Sequence, residues 1–380
     1  MYKHLYSRFL KSHADEIHFA GHSHHYWPDV TREAQLQYWD DSCTHVDDKW
    51  SFLFSQKIPL AQKLICENLN LSAPSQIVFA PNTHELAFRL LSSLPWNKPV
   101  KILTTDSEFY SFDRQVNRLS ELAQFEIVKV PTMPFETFEE RFINEMKKHS
   151  WDLIFFSHVF FNSGVVADIH RIVSHAPTDS LLAIDGYHAF MAVPTDLRSI
   201  EDRVFYIAGS YKYAQGGEGC CFMSVPSRAQ HRPLNTGWFA EIGHLSKVEG
   251  KAVGYPTDAL QYAGSTMDFS ALYRLIAVLE LFKKESLSVS AIHGYVQTLQ
   301  SEFISSIKSD VLKTENILQR DLRHHGHFLT FKMPSTASTE QMVENLRSKK
   351  IKVDSRGDRL RFGFGLYLDK NDIHSTIARL

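Results

Sequence analysis

Seven short apolar runs, separated by helix-patterned segments, constrain this chain more than any other feature. They lie at Ile77–Ala80, Val100–Thr104, Glu126–Val130, Asp152–Phe156, Leu181–Asp185, Val204–Gly209 and Cys220–Val225. Runs of this length suit strands buried on both faces of a sheet. Several of the intervening segments have a helical period, as in His84–Leu94 and Phe135–His149. In the second, Phe135, Phe138, Phe142 and Met146 fall on one helical face. Strand and helix alternating in this way predict an α/β fold, with a mostly parallel seven-stranded sheet forming a large domain. The C-terminal part differs. A long helical stretch, Phe269–Lys308, precedes strand-like His327–Met333, a helix around Thr339–Ser348, strand-like Arg359–Gly365 and a short closing helix. This predicts a smaller α+β domain over 270–380, a large domain over 50–269, and an N-terminal segment, 1–49, that packs with the small domain. The first 45 residues carry no convincing strand.

The composition narrows the function. A formal charge of −2 in 380 residues provides no field to attract nucleic acid or anionic lipid. No window approaches the roughly 18 apolar residues that span a bilayer, and the N-terminus lacks the apolar run of a signal peptide. The four cysteines, Cys43, Cys66, Cys220 and Cys221, form no CxxC pair. A reduced, cytoplasmic protein without nucleic-acid or membrane partners is expected. His22, His24 and His25, like His324, His325 and His327, match no metal-ligand spacing, so no metal is expected.

Three segments carry chemistry. In Gly209–Gly219, Lys212 stands between two tyrosines, after a buried strand and before a glycine-rich turn. Most lysines are solvated, but one held in a partly apolar pocket loses pKa and becomes an amine nucleophile. Asp185 ends a strand, where functional groups of open α/β sheets gather, and His188 follows it. Asp185 alone could equally be a helix cap, and His188 a hydrogen-bonded core histidine. Asn82 and Thr83 open a helix after Ile77–Ala80, which makes an anion site or an ordinary cap. Together, an anion cradle, a strand-end carboxylate and a lysine after the next strand meet the requirements of pyridoxal phosphate.

The same residues resemble the class V aminotransferases, within fold-type I pyridoxal-phosphate enzymes, and several segments are similar to kynureninases. Asp185-Gly-Tyr-His188-Ala matches D-x-x-H-A, Ser210-Tyr211-Lys212-Tyr213 matches S-Y-K-Y, and Gly237-Trp238-Phe239 matches G-W-F. The resemblance implies that Lys212 anchors the cofactor covalently, Asp185 meets its pyridine nitrogen and Tyr211 reaches its phosphate. It further implies phosphate contacts from among Asn82, Thr83 and His84, ring stacking by Phe109, and cofactor contacts from Ser157, His188 and Trp238. Gly264-Ser265-Thr266 resembles a segment that reaches a neighbouring subunit's phosphate, so a homodimer with shared sites is implied. Arg361 fits the arginine that grips a substrate carboxylate, and Trp238 and Phe239 would flank an aromatic substrate, with His24 or His25 in reach. The chain departs from kynureninases at Thr266, where they carry Asn, and at Gly21–His25, which replaces a G-N-S-L-G-like turn.

The activity so implied is hydrolysis of the Cβ–Cγ bond of a kynurenine-type amino acid, giving an aromatic acid and alanine. Alternatives sharing the cofactor are transamination and β-elimination. A persulfide-forming desulfurase needs a cysteine shortly before the carboxylate arginine, and Leu329–Arg361 contains none. Phe155-Phe156 and Phe160-Phe161 read as strand core, Cys220-Cys221 as packing on opposite strand faces, and Lys349, Lys350 and Lys352 as solvated surface.

Overall fold

The computed structural model describes residues 2–242, 253–307 and 312–380. Its strands are β1 (Ile17–His18), β2 (Ile77–Ala80), β3 (Val100–Thr105), β4 (Phe125–Val130), β5 (Leu153–Ser157), β6 (Leu181–Asp185), β7 (Phe205–Gly209), β8 (Cys221–Ser224), β9 (Phe328–Lys332), β10 (Ile351–Lys352), β11 (Asp354–Arg356) and β12 (Arg359–Gly363). Each of the seven apolar runs becomes a strand of one sheet, ordered β2-β8-β7-β6-β5-β3-β4. Strands β7, β6, β5, β3 and β4 run parallel, and β8 runs antiparallel to both β7 and β2. The crossovers bring the C-terminal ends of the parallel strands to one edge, where Ser157 pairs in register with Asp185.

Helices cover the sheet for the reason the pattern gives. Phe135, Phe138, Phe142 and Met146 are all buried at the 3₁₀ turn Phe135–Thr137 and the helix Phe138–Met146. Each such burial stabilises the fold by about 1.5–3 kcal/mol. A second, antiparallel sheet has the order β11-β12-β9.

The structure corrects the sequence reading in three places. The stretch from Phe269 is two helices, Ser270–Lys284 and Val289–Ser306, and Lys308 lies outside the described residues. Ser286 adopts a left-handed φ of 56°, and Ser288 caps the second helix by accepting from the Ala291 N–H. The N-terminal region does hold a strand, since β1 pairs in parallel with β10. A two-residue strand whose partner comes from the far end of the chain leaves no local pattern. The run expected to place Phe160-Phe161 in strand core stops at Ser157. Phe160 packs edge-on against Phe138, and Phe161 meets Phe109. Among the described residues no helix is long and apolar enough to cross a membrane.

Candidate active site

The chain after β7 folds back on itself to present Lys212. The Ser210 hydroxyl donates to the Gly217 carbonyl at 2.6 Å, and the Gly216 N–H donates to the Ser210 carbonyl at 2.8 Å. Gly217 sits at φ +73°, a conformation that a side chain would strain. The lysine is 8% exposed, and among the described residues no carboxylate pairs with it. Its Nζ meets His188 Nε2 and lies 5.3 Å from the Phe109 ring centroid and 5.6 Å from that of Tyr187. Burial pushes its pKa down to about 7, helped by Arg361 and Arg356 and opposed by Asp185 and Asp354.

These groups wall a cavity of about 170 Å³ with Asn82, Thr83, Ser111, Ser157, Val159, Phe161, Asp185 and Tyr211. Asp185 Oδ1 accepts from the Tyr187 N–H at 2.8 Å. Burial raises this carboxyl, against the pull of the Tyr187 amide and Lys212. His188 is pushed well below its ordinary range by burial and by nearby Lys212, His22 and Arg361, so its imidazole is neutral. His188 Nε2 is hydrogen-bonded to the Lys212 amine, and among the described residues its Nδ1 is buried without a partner. Asn82 caps the helix Thr83–Leu91 through the Glu85 N–H at 3.0 Å while also lining the cavity.

Beneath this wall lies a residue that sequence reasoning did not single out. Glu108 Oε2 accepts from the Ser157 hydroxyl at 2.6 Å, and Oε1 accepts from the Thr105 hydroxyl at 2.6 Å. Burial pushes its carboxyl up to about 8. Ser157 therefore spends its hydroxyl on Glu108.

The profile of the Aminotransferase class-V family matches residues 28–375. The chain belongs to the class V aminotransferase family. No curated protein sequence matches it. Among solved structures it is similar to a complex of the cystine C–S lyase C-DES with its reaction product cysteine persulfide, at 17% identity and TM-score 0.81, covering 97% of this chain and 98% of that one. The cysteine desulfurase CsdA from Escherichia coli gives 15% and 0.79 over 97% and 96% of the two chains. That of Thermococcus onnurineus NA1 gives 14% and 0.75 over 96% and 94%. These likenesses establish the shared fold, that of fold-type I enzymes.

The class V site fits pyridoxal phosphate on the chain's own terms. A buried amine without an ionic partner among the described residues suits an aldehyde, a strand-end carboxylate suits a ring nitrogen, and a helix N-terminus suits a phosphate. The protein is a pyridoxal-phosphate-dependent enzyme. The structure brings Lys212, Asp185, Asn82, Thr83, Phe109, Ser157, His188 and Tyr211 together around one cavity. His84 is exposed and bonds Gln115 at 2.8 Å instead of lining the wall. His24 is exposed, with its ring edge-on to Tyr211 at 5.5 Å, while His25 is buried against Tyr367. Trp238 donates to the Thr266 hydroxyl at 3.1 Å and packs, with Phe239, against Trp50, so none of these three lines the cavity. Arg361 lies behind the wall, donating to the carbonyl of wall residue Phe161 and paired with Asp354. Cys220 and Cys221 are buried, and Cys221 Sγ lies 3.5 Å from the Tyr187 hydroxyl.

Proposed function

We propose that this enzyme binds an α-amino acid and breaks the bond between Cβ and the group it carries, with Lys212 as the proton-handling base and no protein thiol taking part. The observation that carries this reading is Lys212: buried, free of any ionic partner among the described residues, and depressed to about 7, so its amine is available near neutral pH. Pyridoxal phosphate, when bound, supplies an electron-withdrawing ring that makes the Cα proton acidic. Asn82 and Thr83 would hold its phosphate with Tyr211. Asp185 would hold a proton at its ring nitrogen, where the positive ring charge offsets the cost of burying the carboxylate. Phe109 would pack on the ring. His188 Nε2, hydrogen-bonded to the Lys212 nitrogen, would hold the amine in position. Arg361 would bind the substrate carboxylate and so orient the scissile bond.

For the departing group, a kynurenine-type side chain comes first. Phe109, Phe161, Tyr187 and Tyr211 make the cavity wall aromatic, and Gly237-Trp238-Phe239 adds the kynureninase-like segment. The modest size of the cavity favours a second reading, a small sulfur substituent. The fold neighbour named a cystine C–S lyase would then be the closer functional guide. Because Trp238, Ser265 and Thr266 stand away from the cavity, with Ser265 and Thr266 exposed, we also read the protein as a homodimer in which each copy completes the other's site.

The test is incubation of the cofactor-loaded enzyme with kynurenine, 3-hydroxykynurenine, cystine and a panel of amino acids with 2-oxo acids. Anthranilate plus alanine supports the first reading, and pyruvate with a released thiol or persulfide supports the second. Amino-group exchange without loss from Cβ contradicts both.

A further inference from the structure

Arg361 is committed before any substrate arrives. It stands on β12 directly across from Asp354 on β11, and its Nη2 pairs with Asp354 Oδ2. Asp354 Oδ1 also accepts from Arg356 at 2.8 Å. Two guanidinium groups thus share one carboxylate, leaving the cluster one negative charge short. Unsatisfied polar atoms point the same way, since among the described residues the Arg361 Nε–H and both ring nitrogens of the neutral His22, one a donor and one an acceptor, are buried without a hydrogen bond. His22 Nε2 lies 3.5 Å from Asp354 Oδ2, just beyond a hydrogen bond. The Phe328 ring ties the cluster to the site. His22 stacks on it at 4.7 Å, the Arg361 guanidinium lies 5.8 Å from its centroid, and His188, the partner of Lys212, lies 5.5 Å away. Gly363 makes the approach possible, because a Cβ there would sit 2.3 Å from His22 Nδ1.

We infer that Asp354 occupies, at Arg361, the place of the substrate's carboxylate, and that His22 receives Asp354 when that carboxylate arrives. This rests on the reading of Arg361 as the carboxylate-binding residue. Asp354 keeps Arg356 through Oδ1, while Oδ2 turns from Arg361 Nη2 to the neutral His22 Nε2–H. The incoming carboxylate takes the freed Nη2 and the unpartnered Nε, and its single charge balances the cluster. No proton or covalent bond changes hands. Asp354 and His22 are then positioning residues that set how tightly a monocarboxylate binds.

Propionate tests this, because it offers the carboxylate and has neither an amine nor a Cβ substituent to lose. Its binding to the cofactor-loaded enzyme is measured by calorimetry, so the result stands apart from whether the Cβ-cleavage reading holds. Asp354→Asn removes the competing charge and is expected to tighten propionate roughly tenfold, and to lower KM with little change in kcat. If Asp354 only orients Arg361, the same change loosens binding. Weaker or unchanged binding in Asp354→Asn, or no propionate binding in either protein, overturns the proposal. His22→Phe is expected to weaken propionate several-fold and His22→Gln, which restores an N–H, to recover it. Unchanged binding in His22→Phe overturns the role given to His22.

Discussion

Lys212 titrates near neutrality because it is enclosed by aromatic rings and a neutral imidazole, with Asp185 only partly compensating. The free amine is the reactive form. Capture of added pyridoxal phosphate by cofactor-free protein should therefore accelerate as pH rises through about 7 and level off above it. A rate that keeps climbing towards pH 10 would place Lys212 in water. Glu108 has the opposite consequence. The unfolded carboxyl ionises near 4.5 while the folded one stays protonated to about 8. Between those values the unfolded state sheds its proton first, and the folded state loses relative stability as pH rises. Glu108→Gln should remove this loss. Its melting temperature should match wild type at low pH and exceed it increasingly up to pH 8, and parallel curves would contradict the assignment. Lys212, Asp185, Asn82 and Thr83 were legible in the sequence because each sits where a strand ends. Glu108 was not, since its partners Thr105 and Ser157 come from the ends of two different strands. Nor was the choice of His22 over His24 and His25 for the Arg361 cluster, which depends on how the Gly21–His25 turn meets β9 and β12.

At the scale of elements, the first turn of the helix Thr83–Leu91 is capped by Asn82 and, on the proposed reading, also holds the cofactor phosphate, and Asn82 variants separate the two roles. Asn82→Ala should cost about 1 kcal/mol of stability through loss of the cap. Asn82→Asp should keep the cap and the melting temperature but weaken pyridoxal phosphate binding, because a carboxylate would oppose the phosphate at the helix N-terminus. Equal cofactor affinity in Asn82→Asp would mean that Asn82 only caps. The turn after β6 is tighter still, since a Cβ on Gly186 would fall 2.1 Å from the Tyr206 ring. Gly186→Ala should destabilise the fold by about 1–3 kcal/mol and loosen the Asp185 end of the site, read as a lower melting temperature and faster cofactor loss. The seven strands were legible because burial on both faces writes a continuous apolar run. The sense of β8 was not, since an antiparallel strand buried on both faces reads like a parallel one. The break between Ser270–Lys284 and Val289–Ser306 was hidden because Glu285–Ser288 contains neither Gly nor Pro.

At the scale of the whole molecule, one class V chain gathers the Lys212 amine, the Asp185 carboxylate and the helix N-terminus at Asn82 and Thr83 around a single cavity, and leaves Trp238, Ser265 and Thr266 outside it. If two copies complete each other's sites, activity should fall on dilution in step with a dimer-to-monomer shift in sedimentation, and a fully active monomer would contradict the shared-site reading. The proposed chemistry stands or falls with Lys212 as the residue that carries the cofactor. Borohydride reduction of the coloured, purified enzyme followed by peptide mass mapping tests that directly. A single phosphopyridoxyl adduct on Lys212 is expected. A protein that takes up no pyridoxal phosphate, or an adduct on any other lysine, would contradict it.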